Sequence, residues 1–145
     1  GTQSQTPDLK AALQYYEKSC VLGFGNGCFN AAQIHMQTGE DETKVLKALP
    51  LLSRACELKC AEGCFYTGAL YLSGKFVEKD LAKAFQFNQK GCNLEHVGCC
   101  SNLSLMYQHG HGTEQNSTLA AEMKKRALHF SIEHVKKQPV IKVNE

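Results

Sequence analysis

Apolar side chains recur at helical spacing along most of the chain, in two kinds of segment that alternate. The first kind carries apolar residues every three or four positions, as at Leu9, Leu13 and Tyr16, and runs to about a cysteine. The second kind opens near another cysteine and reads CFNAAQIHM, CFYTGALYL and CSNLSLMYQ in its three occurrences. Short glycine-containing turns separate the two kinds. The pattern therefore predicts an all-α chain built from helical hairpins.

Turn and cap residues predict where these helices begin and end. The second helix of each hairpin is expected to stop at a glycine suited to a left-handed C-cap, namely Gly39, Gly74 and Gly110. Asp80 and the Ser117–Thr118 pair are the expected N-caps of the helices that follow. Pro50 falls inside the first helix of the second hairpin. It is expected to kink that helix or to move its start to about residue 48.

The chain repeats itself with a period of 36 residues. Each period contains two cysteines eight positions apart: Cys20 and Cys28, Cys56 and Cys64, and Cys92 and Cys100. Other columns align with them: alanine at 12, 48 and 84, leucine at 22, 58 and 94, small residues at 32, 68 and 104, and large rings at 35, 71 and 107. Because one hairpin cannot bury its apolar face alone, three stacked hairpins predict an α/α superhelix, a right-handed solenoid.

The period divides the chain into six segments. They are an N-terminal stub at 1–7, repeats at 8–43, 44–79 and 80–116, a capping helix at 117–137 and a tail at 138–145. The capping helix has an apolar side for the last hairpin and a basic side with Lys124, Lys125, Arg126, Lys136 and Lys137. A solvated face is the favoured interpretation of the basic side, with contact to anionic lipid or to an acidic partner as the alternative.

Composition and charge narrow the function classes. The 145 residues carry a net charge of +2, so nothing requires a nucleic-acid partner. No apolar run approaches the roughly 20 residues of a membrane-spanning helix, so no transmembrane segment is predicted. The sequence offers no phosphate-binding loop and no Ser-x-x-Lys motif. Whether the protein is an enzyme is uncertain, and a scaffold that binds other proteins is favoured.

Eight cysteines at regular spacing in a helical chain indicate a disulfide framework and an oxidising compartment. The first cysteine of each pair lies in the last turn of one helix and the second in the first turn of the next. A tight turn then brings the pair together, which predicts the bridges Cys20–Cys28, Cys56–Cys64 and Cys92–Cys100. Each closed loop should contribute about 2.5 kcal/mol in the chain-entropy description. Buried free thiols, or a zinc site at CELKCAEGC, are the alternatives.

Cys60 and Cys99 fall outside the three pairs. Either both thiols are free, or the two residues bridge each other between repeats. A free thiol could also exchange with the disulfide of a client protein, although an inert thiol is favoured.

Several of these motifs together resemble Sel1-like repeats, which are relatives of tetratricopeptide repeats. They are the Lys-Ala or Ala-Lys pairs near Ala48 and Ala84, the spacing Cys-x7-Cys, and the small–x–x–Tyr–x–x–Gly motif at Gly68, Tyr71 and Gly74. The cysteine-bridged form is similar to two groups: bacterial secreted cysteine-rich Sel1-like proteins, and the animal cytochrome c oxidase assembly factor seven. The segments PDLKAALQYYEKSC, GCFNAAQIHMQTG, KDLAKAFQFNQKGC and AEMKKRAL resemble the C-terminal part of the second group.

The second resemblance implies a scaffold in the mitochondrial intermembrane space that supports the assembly of respiratory complexes, chiefly cytochrome c oxidase. Its protein partners would be subunits or assembly factors of those complexes. The bacterial resemblance implies a secreted or periplasmic protein that binds penicillin-like compounds. Handling of haem or copper by the same fold is a further alternative.

Two further sets of side chains are candidates for binding. No cofactor is predicted, but Met106, His109 and His111 are weak candidate ligands for copper or haem beside a turn that also reads as simply polar. Aromatic residues could line a concave binding surface, although about two thirds of them are expected in the core. They are Tyr15, Tyr16, Phe29, Tyr71, Phe87 and Tyr107.

Overall fold

The computed structural model describes residues 6–37 and 41–139. Within these residues the chain forms seven α-helices and no β-strand. They are α1 Thr6–Val21, α2 Gly25–Met36, α3 Glu42–Glu57, α4 Ala61–Ser73, α5 Leu81–Asn93, α6 Val97–His109 and α7 Ser117–Lys137. Each helix packs against the next helix along the chain, and helices two apart barely touch. The predicted superhelix of three disulfide-bridged hairpins and a capping helix is therefore confirmed.

Side-chain oxygens cap the N-termini of α3, α5 and α7. Asp80 caps α5 as predicted, because its Oδ1 accepts a hydrogen bond of 3.0 Å from the backbone N–H of Lys83. The expected cap of α7 at Ser117–Thr118 is wrong by one residue. Asn116 is the N-cap, and its Oδ1 accepts a hydrogen bond of 3.0 Å from the backbone N–H of Leu119. Asparagine caps a helix as well as serine does, so the hydroxyl pair becomes part of the first turn.

Glycine ends two of the second helices in the expected way. Gly74 and Gly110 adopt the left-handed conformation at the C-caps of α4 and α6, with φ angles of 65° and 69°. A residue with a Cβ would be strained at such angles. The third predicted stop, Gly39, lies outside the described residues.

The turn inside each hairpin is a Schellman motif that recurs at the same position in all three repeats. One left-handed residue stands at the centre of each turn: Gly23 at φ 97°, Lys59 at φ 69° and Glu95 at φ 67°. The backbone N–H of the next residue donates to the carbonyl five positions earlier, from Phe24 to Ser19, from Cys60 to Ala55 and from His96 to Gly91, at 2.9–3.0 Å. Only the first repeat uses glycine at the left-handed position.

Pro50 lies inside α3 but does not move the start of the helix. The helix begins at Glu42 with Asp41 as its N-cap, so the expected start near residue 48 is wrong. Proline cannot donate to the carbonyl of Leu46, and both residues are exposed. Because this stretch of helix faces solvent, water can bind that carbonyl while Leu52 on the opposite side stays fully buried.

The core between consecutive helices is rich in sulfur and in small side chains. Its largest cluster consists of Cys56, Cys64, Cys92, Cys99, Cys100, Leu103, Met123 and Ala127. The rings of Phe85 and Tyr107 pack on this cluster edge to face, with centroids 5.4 Å apart. A Cβ at Gly68 would lie 2.8 Å from the side-chain amide nitrogen of Asn88. The aligned small residues therefore do allow close approach, here between α4 and α5.

Candidate functional site

The three disulfides close the three hairpins beside their turns. The Cα atoms of Cys20 and Cys28 lie 4.5 Å apart, those of Cys56 and Cys64 4.5 Å, and those of Cys92 and Cys100 4.6 Å. All six side chains are buried. Two cysteines of the segment CELKCAEGC are thus bound to each other, which removes two of the thiolates that a zinc site there would need.

Cys60 and Cys99 carry free thiols and do not bridge each other. Both are buried, with exposed fractions of 6% and 0%. Burial raises the pKa of the Cys60 thiol, as does the nearby Glu62 carboxylate, which accepts a hydrogen bond from Cys60 Sγ at 3.7 Å. Burial raises the pKa of Cys99 to about 12. Because the thiolate is the attacking species in disulfide exchange, both residues are held in the unreactive form at neutral pH.

His96 lies in the same turn as Cys99, but the two do not form a nucleophile–base pair. The Nδ1 of His96 accepts a hydrogen bond of 3.2 Å from the backbone N–H of Cys99, so it caps α6. Its ring stacks on Phe65 with centroids 4.8 Å apart. Burial lowers the pKa of His96, which favours the neutral ring that this acceptor role requires.

Cys99 occupies a position that is glycine in the earlier repeats, and the opposing helix accommodates it. In the second hairpin Gly63 faces Ala55, and a Cβ at Gly63 would lie only 2.7 Å from the Ala55 Cβ. In the third hairpin the two sizes are exchanged, so that Gly91 faces Cys99 and a Cβ at Gly91 would overlap the Cys99 Sγ. The first hairpin has the same arrangement as the second hairpin, with the glycine at the later of the two positions. Cys99 is therefore a packing residue of the third hairpin.

The candidate ligands Met106, His109 and His111 are divided between the core and the surface. Met106 is buried, and its sulfur lies 4.0 Å from the amide nitrogen of Asn88. His109 and His111 are exposed, with ring centroids 5.5 Å apart. Within residues 6–37 and 41–139, no group of three His, Cys, Asp or Glu side chains is arranged to hold a metal ion.

A groove of about 480 Å³ lies on the first two hairpins. Its lining consists of Tyr16, Phe29, Asn30, Gln33, Ile34, Met36, Gln37 and Tyr66. The rings of Phe29 and Tyr66 stack across the boundary between the hairpins, with centroids 5.8 Å apart. Among residues 6–37 and 41–139, no charged side chain lines this groove, and the polar groups there are mainly three side-chain amides.

A second hollow of about 380 Å³ shares Met36 and Tyr66 with this groove and extends along α4. Its other lining residues are Leu52, Phe65, Ala69, Leu70, Ser73, Lys75 and Phe76. The ammonium group of Lys75 lies 4.9 Å from the centroid of the Phe76 ring. We call the two hollows together the aromatic groove. Rings along its floor can pack on apolar side chains, while the amides can pair with a peptide backbone.

The predicted aromatic surface is only partly the one that the structure forms. Tyr16 and Phe29 do line the aromatic groove. Tyr107 and Phe87 pack against the core cluster, and Tyr71 stacks on Phe87 with centroids 6.1 Å apart. Sequence reasoning missed Tyr66, Met36 and the three amides. Only Asn30 has a repeat equivalent of its own type, Asn102. The positions equivalent to the others carry different residue types, so no column of the repeat marks the groove.

The outer side of the first hairpin is a second apolar surface, and it includes Tyr15. Tyr15, Leu22 and Phe24 have exposed fractions of 69%, 76% and 64%. At the position equivalent to Phe24, Cys60 is buried against the first hairpin, where a Cβ at Gly25 would lie 3.2 Å from its Cβ. In the part of the chain that the structure describes, no helix covers this side of α1.

Comparison with known proteins gives consistent similarities. The sequence profile of the Sel1 repeat family matches residues 1–24, 61–96 and 97–127. Cysteine-rich protein B from Helicobacter pylori is 32% identical; the match covers 94% of this chain and 98% of that protein, with a TM-score of 0.68. A search of curated protein sequences finds no match.

Two more distant structures share the fold. A Sel1 repeat protein from Oxalobacter formigenes is 21% identical over 86% of this chain and 94% of its own, with a TM-score of 0.73. A protective antigen from uropathogenic Escherichia coli is 20% identical, with a TM-score of 0.69, and the match covers 81% of this chain but 25% of the antigen.

Proposed function

The chain belongs to the Sel1 repeat family, and from this premise we propose that it is a scaffold that binds a protein partner in the aromatic groove. The observation that carries the proposal is the lining of the groove. Stacked rings of Phe29 and Tyr66 provide apolar contact, and the side chains of Asn30, Gln33 and Gln37 provide donors and acceptors. Such a surface suits an extended or helical segment of low charge.

The client class that we propose first is respiratory-complex subunits and their assembly factors, chiefly those of cytochrome c oxidase, in the mitochondrial intermembrane space. This proposal rests on the resemblance of the repeat segments and of AEMKKRAL to the oxidase assembly group. The three disulfides fit an oxidising compartment of this kind. Among the described helices, none has the length and apolar character needed to cross a membrane.

A secreted or periplasmic scaffold is the second candidate. The observation in its favour is the 32% identity to Helicobacter pylori cysteine-rich protein B over nearly the whole of both chains. Disulfides fit that location equally well. Immunofluorescence of the tagged chain in its own cells separates the two, because co-localisation with a mitochondrial marker excludes a secreted protein.

Affinity capture with a groove variant tests the proposed function. The double variant Tyr66→Ala/Gln33→Ala removes an exposed ring and an exposed amide from the groove while leaving buried residues in place. We expect it to lose most of the partner that the unmodified chain captures from a mitochondrial extract. Leu105→Ala, at an exposed position of α6, is the matched control and should capture normally.

Two outcomes would contradict the proposal. Equal capture by the groove variant and the unmodified chain would show that the partner binds elsewhere. Capture that depends on the groove but contains no respiratory-complex subunit or assembly factor would remove the proposed client class. Circular dichroism of each variant confirms that the helices are intact before capture is compared.

The alternatives based on chemistry receive less support from the geometry. Disulfide exchange would need an accessible thiolate, whereas Cys60 and Cys99 are buried and have raised pKa values. Haem or copper binding would have to use the exposed pair His109 and His111 without the buried sulfur of Met106. Binding of penicillin-like compounds would have to proceed without a Ser-x-x-Lys motif in this sequence.

A further inference from the structure

Helix α7 has two faces of different character. The buried face, which includes Ala120, Met123 and Ala127, packs against the last hairpin. Arg126 also turns toward this side, since it lies 3.8 Å from the Met123 sulfur and 6.0 Å from the Phe130 ring centroid. The only helix that α7 packs against among the described residues is α6. The side of α7 that lies about 110° around the helix axis from these buried residues is covered by no other helix among the described residues, and we call it the open face.

The open face carries an apolar row on its C-terminal half. Leu128, Ile132 and Val135 have exposed fractions of 63%, 45% and 66%. Their spacing of four and then three residues places them side by side along one line of the helix. Three exposed aliphatic side chains in a row are a feature to explain, because a solvated capping face would carry polar groups there.

Lysines flank this row, and the two acidic residues of the helix beyond its first turn lie to one side of it. Lys124 and Lys125 stand one turn before Leu128, and Lys136 stands one turn after Ile132. Lys136 makes an exposed ion pair of 3.5 Å with Glu133, a type of contact that contributes little and is readily exchanged. At about 100° per residue, Glu122 and Glu133 lie roughly 120–140° around the axis from Leu128 and roughly 80–100° from Ile132.

We propose that the open face of α7 is a docking surface for an anionic membrane, on which the helix lies parallel to the lipid plane. An apolar row between lysines matches a lipid interface, because the aliphatic groups enter the acyl boundary while the ammonium groups reach the anionic headgroups.

Co-sedimentation of the full chain with lipid vesicles tests this proposal. We expect binding to vesicles of phosphatidylcholine with phosphatidylserine, weak binding to phosphatidylcholine alone, and loss of binding at high salt. The variant Lys124→Glu/Lys125→Glu should weaken binding at least about 25-fold, at about fivefold per lysine charge removed. Leu128→Ser/Ile132→Ser should weaken it about tenfold or more without changing the net charge.

A matched pair on α3 provides the control. Leu46 is 48% exposed and is followed by the exposed Lys47, so Leu46→Ser/Lys47→Glu makes the same kinds of change at a distant site. This variant should bind vesicles within about twofold of the unmodified chain, because it leaves α7 unchanged. All substituted positions are exposed, and circular dichroism checks that each variant is folded.

Three results would overturn the proposal. One is equal binding to neutral and anionic vesicles, and another is normal binding by both α7 variants. The third is binding to a soluble acidic peptide such as polyglutamate that exceeds binding to anionic vesicles and ignores Leu128→Ser/Ile132→Ser. That last result would identify an acidic protein as the partner of the basic helix.

Discussion

At the scale of single residues, the exchange of sizes between Gly91 and Cys99 explains two columns in which the third repeat departs from the others. Gly63 and Ala55 occupy the same two positions in the second hairpin with the sizes reversed. Both columns could be read from the sequence, but their contact could not, because nothing in the period shows that the two positions face each other. The buried free thiol therefore needs no redox role to account for it.

We expect Gly91→Ala to lower the free energy of unfolding by about 1–3 kcal/mol, because the new methyl group overlaps the Cys99 sulfur. Cys99→Gly alone should also destabilise, since it opens a gap over Gly91. The double variant reproduces the arrangement of the second hairpin and should recover most of the loss. Urea unfolding of the unmodified chain, the two single variants and the double variant measures the coupling energy between the two positions. A double variant whose loss of stability equals the sum of the two single losses would contradict the expectation.

At the scale of elements, the hairpins show which local sequence signals are sufficient to predict helices, turns and bridges. The cysteine spacing correctly predicted helix–turn–helix units with their bridges, because a disulfide limits how far apart two helix ends can lie. The start of α3 was missed because the packing of Leu52 and the cap at Asp41 outweigh the local effect of Pro50. The recurring left-handed turn was missed because only Gly23 marks it by residue type.

Because Glu95 holds this turn position at φ 67°, Glu95→Gly should raise the free energy of unfolding by about 1 kcal/mol. Glycine adopts the left-handed conformation without a Cβ clash and preserves the hydrogen bond from His96 to Gly91. Gln89→Gly, at an exposed position inside α5, is the control and should lower stability by a similar amount. If thermal unfolding shows that the melting temperatures of both variants shift in the same direction, the expectation is contradicted.

At the scale of the whole molecule, each hairpin is stabilised only by contacts with its immediate neighbours, because helices two apart barely touch. The repeat period was sufficient to predict this architecture. The aromatic groove was not predictable in the same way. It combines Phe29 and Tyr66 from different hairpins, and their juxtaposition depends on how one repeat rotates against the next. The open face of α7 depends likewise on which side packs on α6.

The position of a bridge in the stack should decide what its loss does. Replacing Cys56 and Cys64 by alanine removes a bridge from the hairpin with neighbours on both sides, whereas Cys20 and Cys28 lie in the first hairpin. Each change should cost about 2.5 kcal/mol, because the closed loops are equally long. Loss of the Cys56–Cys64 bridge should lower hydrogen-exchange protection in all three hairpins. Loss of the Cys20–Cys28 bridge should lower it mainly in α1 and α2. Identical protection maps would contradict this expectation.

The bridges also limit how far the protein can be stretched. A pull on the two chain ends would straighten one hairpin after another, but each intact bridge withholds the residues between its cysteines from the extended chain. At up to about 3.5 Å per residue, each bridge hides roughly 25 Å of contour length that becomes available only on reduction. Under tension the oxidised chain would therefore act as a shorter tether than the reduced one.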